Sequence, residues 1–390
     1  MKLSLKNPAY LLGSGLVTRL GSGLPAHASA LKQLRASPGR TPPNANDSEN
    51  RSWPYHLIEG IEGRERLNTL LQLSIEQALK ESELDSGQVR RLALFVGSTC
   101  LDLPLHESAY AEAAAAGPSH IPIQGPGYGN VASWIAERFG IEGPQYTLNT
   151  ACSSSANALL HARLLLKEGL VEHALVIGVE AFNRLSVLGF GSLLLLSKQD
   201  YRPFDKNRDG LILGEGAGVM LLGREPRSGE TPGLALCGAA SACDPSSPTN
   251  SLPERVAGVM RAALDDTGTT LDRLIAIKAH GTGTTSNDLS EGQGLRLLGE
   301  HLRKGGLPPF TSLKPYTGHT MGGCGVIESL CLLAAWSEGF LPGTPGFTET
   351  DPDIGLSPIT AATPLPPQGA VLCNFFGFGG NNTSLVFARA

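Results

Sequence analysis

The 390-residue chain has no Gly-Lys pair, no CxxC motif and no apolar run near the roughly 18 residues of a membrane span. Without Gly-Lys there is no P-loop, because the lysine that reaches the phosphates is missing. Gly214-x-Gly216-x-Gly218 lies inside an apolar strand pattern rather than at a strand-to-helix turn, so it is not a dinucleotide fingerprint. No nucleotide or nicotinamide cofactor is expected. The seven cysteines (Cys100, Cys152, Cys237, Cys243, Cys324, Cys331, Cys373) show no zinc spacing, which argues against a structural metal and for a reduced, cytoplasmic protein. Lys2 and Lys6 precede an apolar stretch that glycines and Arg19 interrupt, so no signal peptide is expected. With 31 Lys and Arg against 36 Asp and Glu, net charge −5, the chain has no basic excess for nucleic acid.

What is present is glycine and alternation. The 48 glycines and 27 prolines punctuate strand and helix signals along the whole length, which favours an α/β protein with largely parallel central strands. The apolar run Gly218–Leu222 gives way to a polar linker, Arg224–Thr231. A second strand, Leu234–Gly238, then echoes the opening strand-plus-glycine pattern. These shifts place a boundary near 226–232, giving units 1–226 and 233–390. Ser37–Pro54 is polar and proline-rich and reads as an exposed loop; the alanines of Ala111–Gly117 read as a short helix end.

Three islands carry chemistry. Tyr146-Thr147-Leu148 ends a strand, and Leu159, Leu160, Leu164 and Leu166 recur at helical spacing until Gly169. Cys152 sits at the junction, over the unpaired N–H groups of a helix start that favour thiolate. A buried packing cysteine would look the same in this window alone. His280 follows the apolar strand Leu274–Ile277 and precedes Gly281-Thr282-Gly283-Thr284; His319 lies among glycines in Lys314-Pro315-Tyr316-Thr317-Gly318-His319. Glycines beside a histidine let a substrate approach closely. One nucleophile with two such histidines makes a catalytic constellation.

Cys152 in TACSSS, His280 in HGTGT, Lys314 and His319 in KxxTGH, and the tail Asn374–Asn382 resemble the β-ketoacyl-[acyl carrier protein] synthases, the elongating Cys-His-His condensing enzymes of the thiolase superfamily. Arg202–Gly210 and Gly214–Gly218 are similar to a further signature, and Leu11–Thr18 to the family's first strand and loop. The resemblance implies the thiolase fold, two duplicated βα halves in five αβαβα layers, with the cysteine in the first half and both histidines in the second. It implies an acyl-Cys152 intermediate and decarboxylative Claisen condensation with malonyl thioester, with His280 and His319 donating to the enolate oxygen.

The oxyanion donors it implies are the N–H groups of Cys152 and Phe376, with the Phe376 ring as a gate and Phe378 beside the substrate. Lys314 is implied to orient and support electrostatically, paired with Glu291, since an unpaired buried ammonium is costly. Glu328 also matches a family position, structural or catalytic. Thr282 and Thr284 are candidates to hydrogen-bond a pantetheine arm, with satisfaction of the turn backbone as the alternative, and Cys100 is implied to lie where the acyl pocket narrows. The implied partners are an acyl carrier protein and a second subunit, either a copy of this chain or a chain-length-factor-like protein. Arg64, Arg66, Lys206 and Arg208 are candidates for the carrier's docking patch, although Arg208 has Asp205 and Asp209 close in sequence.

Gly189-Phe190-Gly191 and Asn381-Asn382 look more like the ketosynthases of bacterial aryl polyene clusters. Two other readings stay open: a chain-length-factor-like subunit, which needs no nucleophile, and an acyl hydrolase or acyltransferase that stops at the same acyl-cysteine.

Overall fold

In the computed structural model, the described residues are all except 1–6, 43–51, 62–64, 118–126, 228–232, 269–272, 303–305 and 390. Ten strands carry the fold: β1 (Ala9–Thr18), β2 (Ala93–Gly97), β3 (Gln145–Leu148), β4 (His173–Glu180), β5 (Gly216–Gly223), β6 (Leu234–Cys243), β7 (Leu274–Ala279), β8 (Phe310–Ser312), β9 (Gly369–Gly377) and β10 (Asn381–Arg389). They run in the order β8-β7-β9-β10-β6-β1-β5-β4-β2-β3, and β1 meets β6 at Ala9–Leu236 and Tyr10–Ala235. Taken separately, each half has the strand order 1-5-4-2-3, and in each only the fifth strand, β5 or β10, runs against the rest. The duplication that was faint in the residues is plain in the topology.

Seven helices complete the layers: α1 (Arg66–Ser82), α2 (Asn130–Phe139), α3 (Ser154–Lys167), α4 (Arg184–Ser192), α5 (Pro253–Asp266), α6 (Thr285–His301) and α7 (Cys324–Ser337). One outer core joins α1 and α2 to the first-half strands, and the other joins α5 and α6 to the second-half strands. Between the sheets lie α3 and α7 in a shared central core. This is a five-layered αβαβα stack. Each layer follows from its apolar pattern. In α1, Leu67, Leu70, Leu71, Ile75 and Ala78 form one buried stripe, as an outer helix requires. From Cys324 to Trp336, α7 is buried on every side, which only a helix between two sheets can be. The strands β4 and β5, covered on both faces, are continuous apolar runs rather than alternating ones.

The functional side chains gather at the carboxyl ends of strands, where the connecting loops of α/β sheets place ligands. Cys152 follows β3, His280 follows β7, Lys314 and His319 follow β8, and Phe378 follows β9. The alanines of 111–116 close a longer helix, Leu103–Ala116. Of the expected loop Ser37–Pro54, the described ends pair as short strands, Arg40 opposite Pro54. The linker residues 228–232 lie outside the described residues. Among the described residues, no helix is long and apolar enough to cross a membrane, and all seven cysteines are free.

Candidate active site

Cys152 stands on a tight elbow. Ala151 adopts a left-handed φ of 52°, a conformation that costs a non-glycine residue about 1–2 kcal/mol. Local hydrogen bonds hold the turn against that cost. Ser154 Oγ donates to the Ala151 carbonyl at 2.6 Å and accepts from the Thr150 N–H at 2.9 Å, while Ser153 Oγ donates to the Thr150 carbonyl at 2.8 Å. Asn157 Nδ2 reaches Thr150 Oγ1 at 2.8 Å. The serines of TACSSS therefore build the elbow that presents the thiol, a role the sequence reading missed.

The sulfur is buried, and burial pushes the Cys152 thiol up to about 12. The Lys314 charge and the backbone N–H groups of Phe378 and Cys152 itself oppose this and do not overcome it. The resting group is thus a thiol, where the helix start had suggested thiolate. His319 Nε2 lies 3.1 Å from the sulfur. Gly318, at φ 72°, leads into it, and a Cβ there would fall 2.6 Å from the Leu213 carbonyl. The His319 N–H bonds the Ile212 carbonyl at 2.7 Å, which anchors the ring's backbone to the first half.

His280 is fixed from behind. Glu291, on α6, accepts the N–H groups of His280 and Gly281 at 2.7 and 2.8 Å, so it holds the turn and not the lysine. Its own acid is raised to about 7 by burial, against the pull of those two donors. Lys314 pairs instead with Glu328 at 2.8 Å, and also donates to the His280 carbonyl at 2.7 Å and meets His280 Nδ1 at 3.1 Å. An ammonium has no acceptor, so His280 Nδ1 accepts, and its proton sits on Nε2. Burial, then the Lys314 charge, keeps both imidazoles well below their ordinary 6.5, hence neutral. The two rings stand 5.4 Å apart at 83°. His319 Nδ1 has no hydrogen-bond partner among the described residues, so either of its nitrogens can hold the proton.

Two cavities meet at Cys152. The first, about 380 Å³, is lined by His280, His319, Phe376 and the hydroxyls of Thr282 and Thr284, which bond each other at 2.9 Å. The second, about 440 Å³, is mainly apolar, with Gly189, Leu193 and Met321 in its wall. Phe190 and Phe378 line both and stack on each other at 5.9 Å.

Several expected assignments move. The backbone N–H at the sulfur is that of Phe378, past the end of β9, whereas Phe376 is still paired in the strand opposite Asn382. The Phe376 ring lies 5.8 Å from that of His280. Cys100 lines neither cavity; its sulfur contacts Ser186 Oγ at 3.1 Å, and Ser186 lines the apolar one. Arg66 is tied to the fully buried Glu215 and to the Ile58 carbonyl, and Arg208 to Asp351 at 2.6 Å with its side chain 3% exposed. Both are internal braces rather than a docking surface. Arg208 leans on Asp351 and the Asp205 carbonyl, not on Asp209. Lys206 is exposed but paired with Glu349 at 2.7 Å. Arg64 lies outside the described residues.

The family is now decided. Residues 55–227 match the N-terminal domain of the β-ketoacyl synthases, and residues 235–348 match their C-terminal domain. This chain belongs to the β-ketoacyl synthase family. It is 31% identical to 3-oxoacyl-[acyl-carrier-protein] synthase 2 of Synechocystis sp., covering 98% of each chain, and 27% identical to the synthase of the same name from Vibrio cholerae, covering 98% of this chain and 99% of the relative. Among solved structures it is similar to the complex of the ketosynthase ApeO with its chain length factor ApeC from Xenorhabdus doucetiae, at 28% identity, a TM-score of 0.85 and 98% of both chains. Its fold is also that of the ishigamide ketosynthase/chain length factor, at 23% identity, a TM-score of 0.84, and 98% of this chain against 99% of that one. This β-ketoacyl synthase is a condensing enzyme of the acyltransferase class.

Because the resting thiol is protonated, alkylation of Cys152 by iodoacetamide should rise about tenfold per pH unit between pH 7 and 9, with no plateau. The check is the rate of adduct formation on the Cys152 peptide, since Cys243 is free and exposed and alkylates too; a plateau below pH 7.5 would mean a preformed thiolate.

Proposed function

We propose that this synthase joins an acyl group held on Cys152 to a malonyl thioester on an acyl carrier protein, releasing carbon dioxide and a 3-oxoacyl thioester. The observation that carries the reading is the set of donors around one sulfur: two neutral imidazoles and two backbone N–H groups, at the meeting point of a hydroxyl-lined and an apolar cavity. In acylation, His319 Nε2 takes the thiol proton as the sulfur attacks the incoming thioester. The N–H groups of Cys152 and Phe378 meet the oxyanion, and the proton passes to the departing pantetheine sulfur. The acyl chain occupies the apolar cavity, and the pantetheine arm runs past Thr282 and Thr284.

Malonyl thioester then loses its carboxylate as carbon dioxide. The electron pair left behind forms an enolate, whose oxygen accepts from His280 Nε2–H and from His319, now with its proton on Nε2. The enolate carbon attacks the acyl carbonyl, the carbon–sulfur bond breaks, and the Cys152 thiolate takes up from solvent the one proton that the overall reaction consumes. No electrons enter or leave, so the reaction calls for no cofactor beyond the carrier's phosphopantetheine.

The assembly we propose pairs two ketosynthase-fold chains. Among the described residues β3 is hydrogen-bonded only to β2, and Tyr146 on it is 41% exposed while its ring stacks on Phe95. An open, partly apolar edge this close to Cys152 suits a second chain, either a copy of this one or a chain-length-factor-like partner, as in the complex of its relative from Xenorhabdus doucetiae. Native mass spectrometry of the purified chain should show two-chain assemblies; a monomer that also fails to capture a chain-length-factor homologue would contradict this.

The two histidines separate in the proposal. His280→Ala should accept an acyl group near the parent rate and lose carbon dioxide release by about two to three orders of magnitude. His319→Ala should lose both, because it also takes the thiol proton. The measurement is acyl-enzyme yield against carbon dioxide release for each variant; decarboxylation by both at the parent rate would defeat the mechanism.

A further inference from the structure

Lys278 is fully buried, and the reaction as derived gives it no part. It lies on β7, two residues before His280, which follows the strand. Its ammonium meets Glu328 Oε2 at 2.5 Å, the Asn374 carbonyl at 2.9 Å, and the face of Phe375 at 3.7 Å from the ring centre. All three are electron-rich acceptors, as a charged ammonium requires. Glu328 thus gives one oxygen to Lys278 and the other to Lys314, which in turn holds His280 Nδ1. Two buried cations share one carboxylate, and the cluster carries one net positive charge behind the imidazoles.

We propose that Lys278 is a positioning residue whose charge keeps His280 and His319 neutral and favours the negative charge that develops when malonyl thioester decarboxylates. The idea rests on the condensing reading above. A positive charge here disfavours imidazolium, and a neutral imidazole is the form that accepts the thiol proton and donates from a single nitrogen. The same charge lowers the energy of an enolate held by those rings. The Lys278 contact with the Asn374 carbonyl also braces β9 four residues before Phe378. Acylation builds its charge on the backbone donors instead and depends less on this cluster.

The other titratable groups around Lys278 are accounted for. Cys324 and Cys331 face it from α7 and Cys373 from β9, and burial pushes all three thiols up, so they stay neutral across the working range. Glu291, on α6, also acts on it through charge. Of the two lysines, Lys278 is held below its ordinary value by burial and by the Lys314 charge. For Lys314 burial pulls the same way, but Glu328 and its other partners raise it overall. Lys278 is therefore the first of the pair to give up its proton as pH rises.

Lys278→Met and Lys278→Gln remove the charge at similar length. With malonyl and acyl carrier proteins as substrates, each variant should acylate Cys152 within about threefold of the parent. Carbon dioxide release should fall about tenfold in kcat with little change in KM, less than the loss of a direct donor. The acid limb of its pH profile should move up by about one pH unit, since the imidazoles then charge more readily. Unchanged release with an unmoved limb, or acylation and release falling together, would overturn the inference. If neither variant folds, Lys278→Arg decides: with the charge kept, release should stay within about threefold of the parent and the acid limb in place, and a tenfold loss of release at intact acylation would overturn the inference. A parent that acylates but releases no carbon dioxide would defeat the condensing reading itself, not this refinement alone.

Discussion

The site depends on one buried ammonium with all of its hydrogens committed. Lys314 bonds Glu328, the His280 carbonyl and His280 Nδ1, with no exposure to water. Such an ion is stable only while each partner stays in place, since removing one member of a buried pair costs roughly 3–5 kcal/mol. Lys314 follows β8 and its partners come from the turn after β7 and from α7, so a correct stack of the second-half sheet on the central helices is what the ion senses. In return it fixes which nitrogen of His280 carries the proton. Electrostatics and packing here are one constraint.

Cys152 shows two physical effects in opposition. A helix start, two amide donors and a nearby ammonium all favour thiolate, and burial favours thiol. Burial wins, which leaves the nucleophile mostly protonated, and so slow toward water-borne electrophiles, at neutral pH. The neutral His319 beside it then has work that a preformed thiolate would not require. With no partner at His319 Nδ1 among the described residues, neither tautomer of that ring is fixed, whereas Lys314 fixes that of His280.

Much of this was legible in the residues. The thiol, both histidines and the α/β class follow from local patterns: a strand-to-helix junction, glycine-flanked imidazoles, and alternating element signals; the five-layered arrangement came only with the family resemblance. What was not legible depended on distance through the fold. Glu291 was expected to pair with Lys314 because a buried ammonium needs a partner, yet its carboxylate turns back to accept from the His280 and Gly281 amides. Glu328 reaches the lysine only because α7 packs between the sheets. Arg66 and Arg208 carry charge that reads as surface, but their partners, Glu215 and Asp351, lie 149 and 143 residues away. The backbone N–H that meets the Cys152 sulfur is that of Phe378, two residues beyond the expected Phe376, because no sequence pattern says that β9 stays paired through Gly377. Lys278 passed unread inside an apolar strand.

The central claim, carbon–carbon bond formation, is tested most directly by the mass of the carrier-bound product. The synthase, first acylated on Cys152 and then mixed with malonyl carrier protein, should yield a 3-oxoacyl carrier protein whose chain is the donor acyl group extended by two carbons. One carbon dioxide should be released per product, and Cys152→Ala should yield none. Free carboxylic acid, or acyl groups moved to the carrier without extension, would contradict the account and point to a hydrolase or simple acyltransferase.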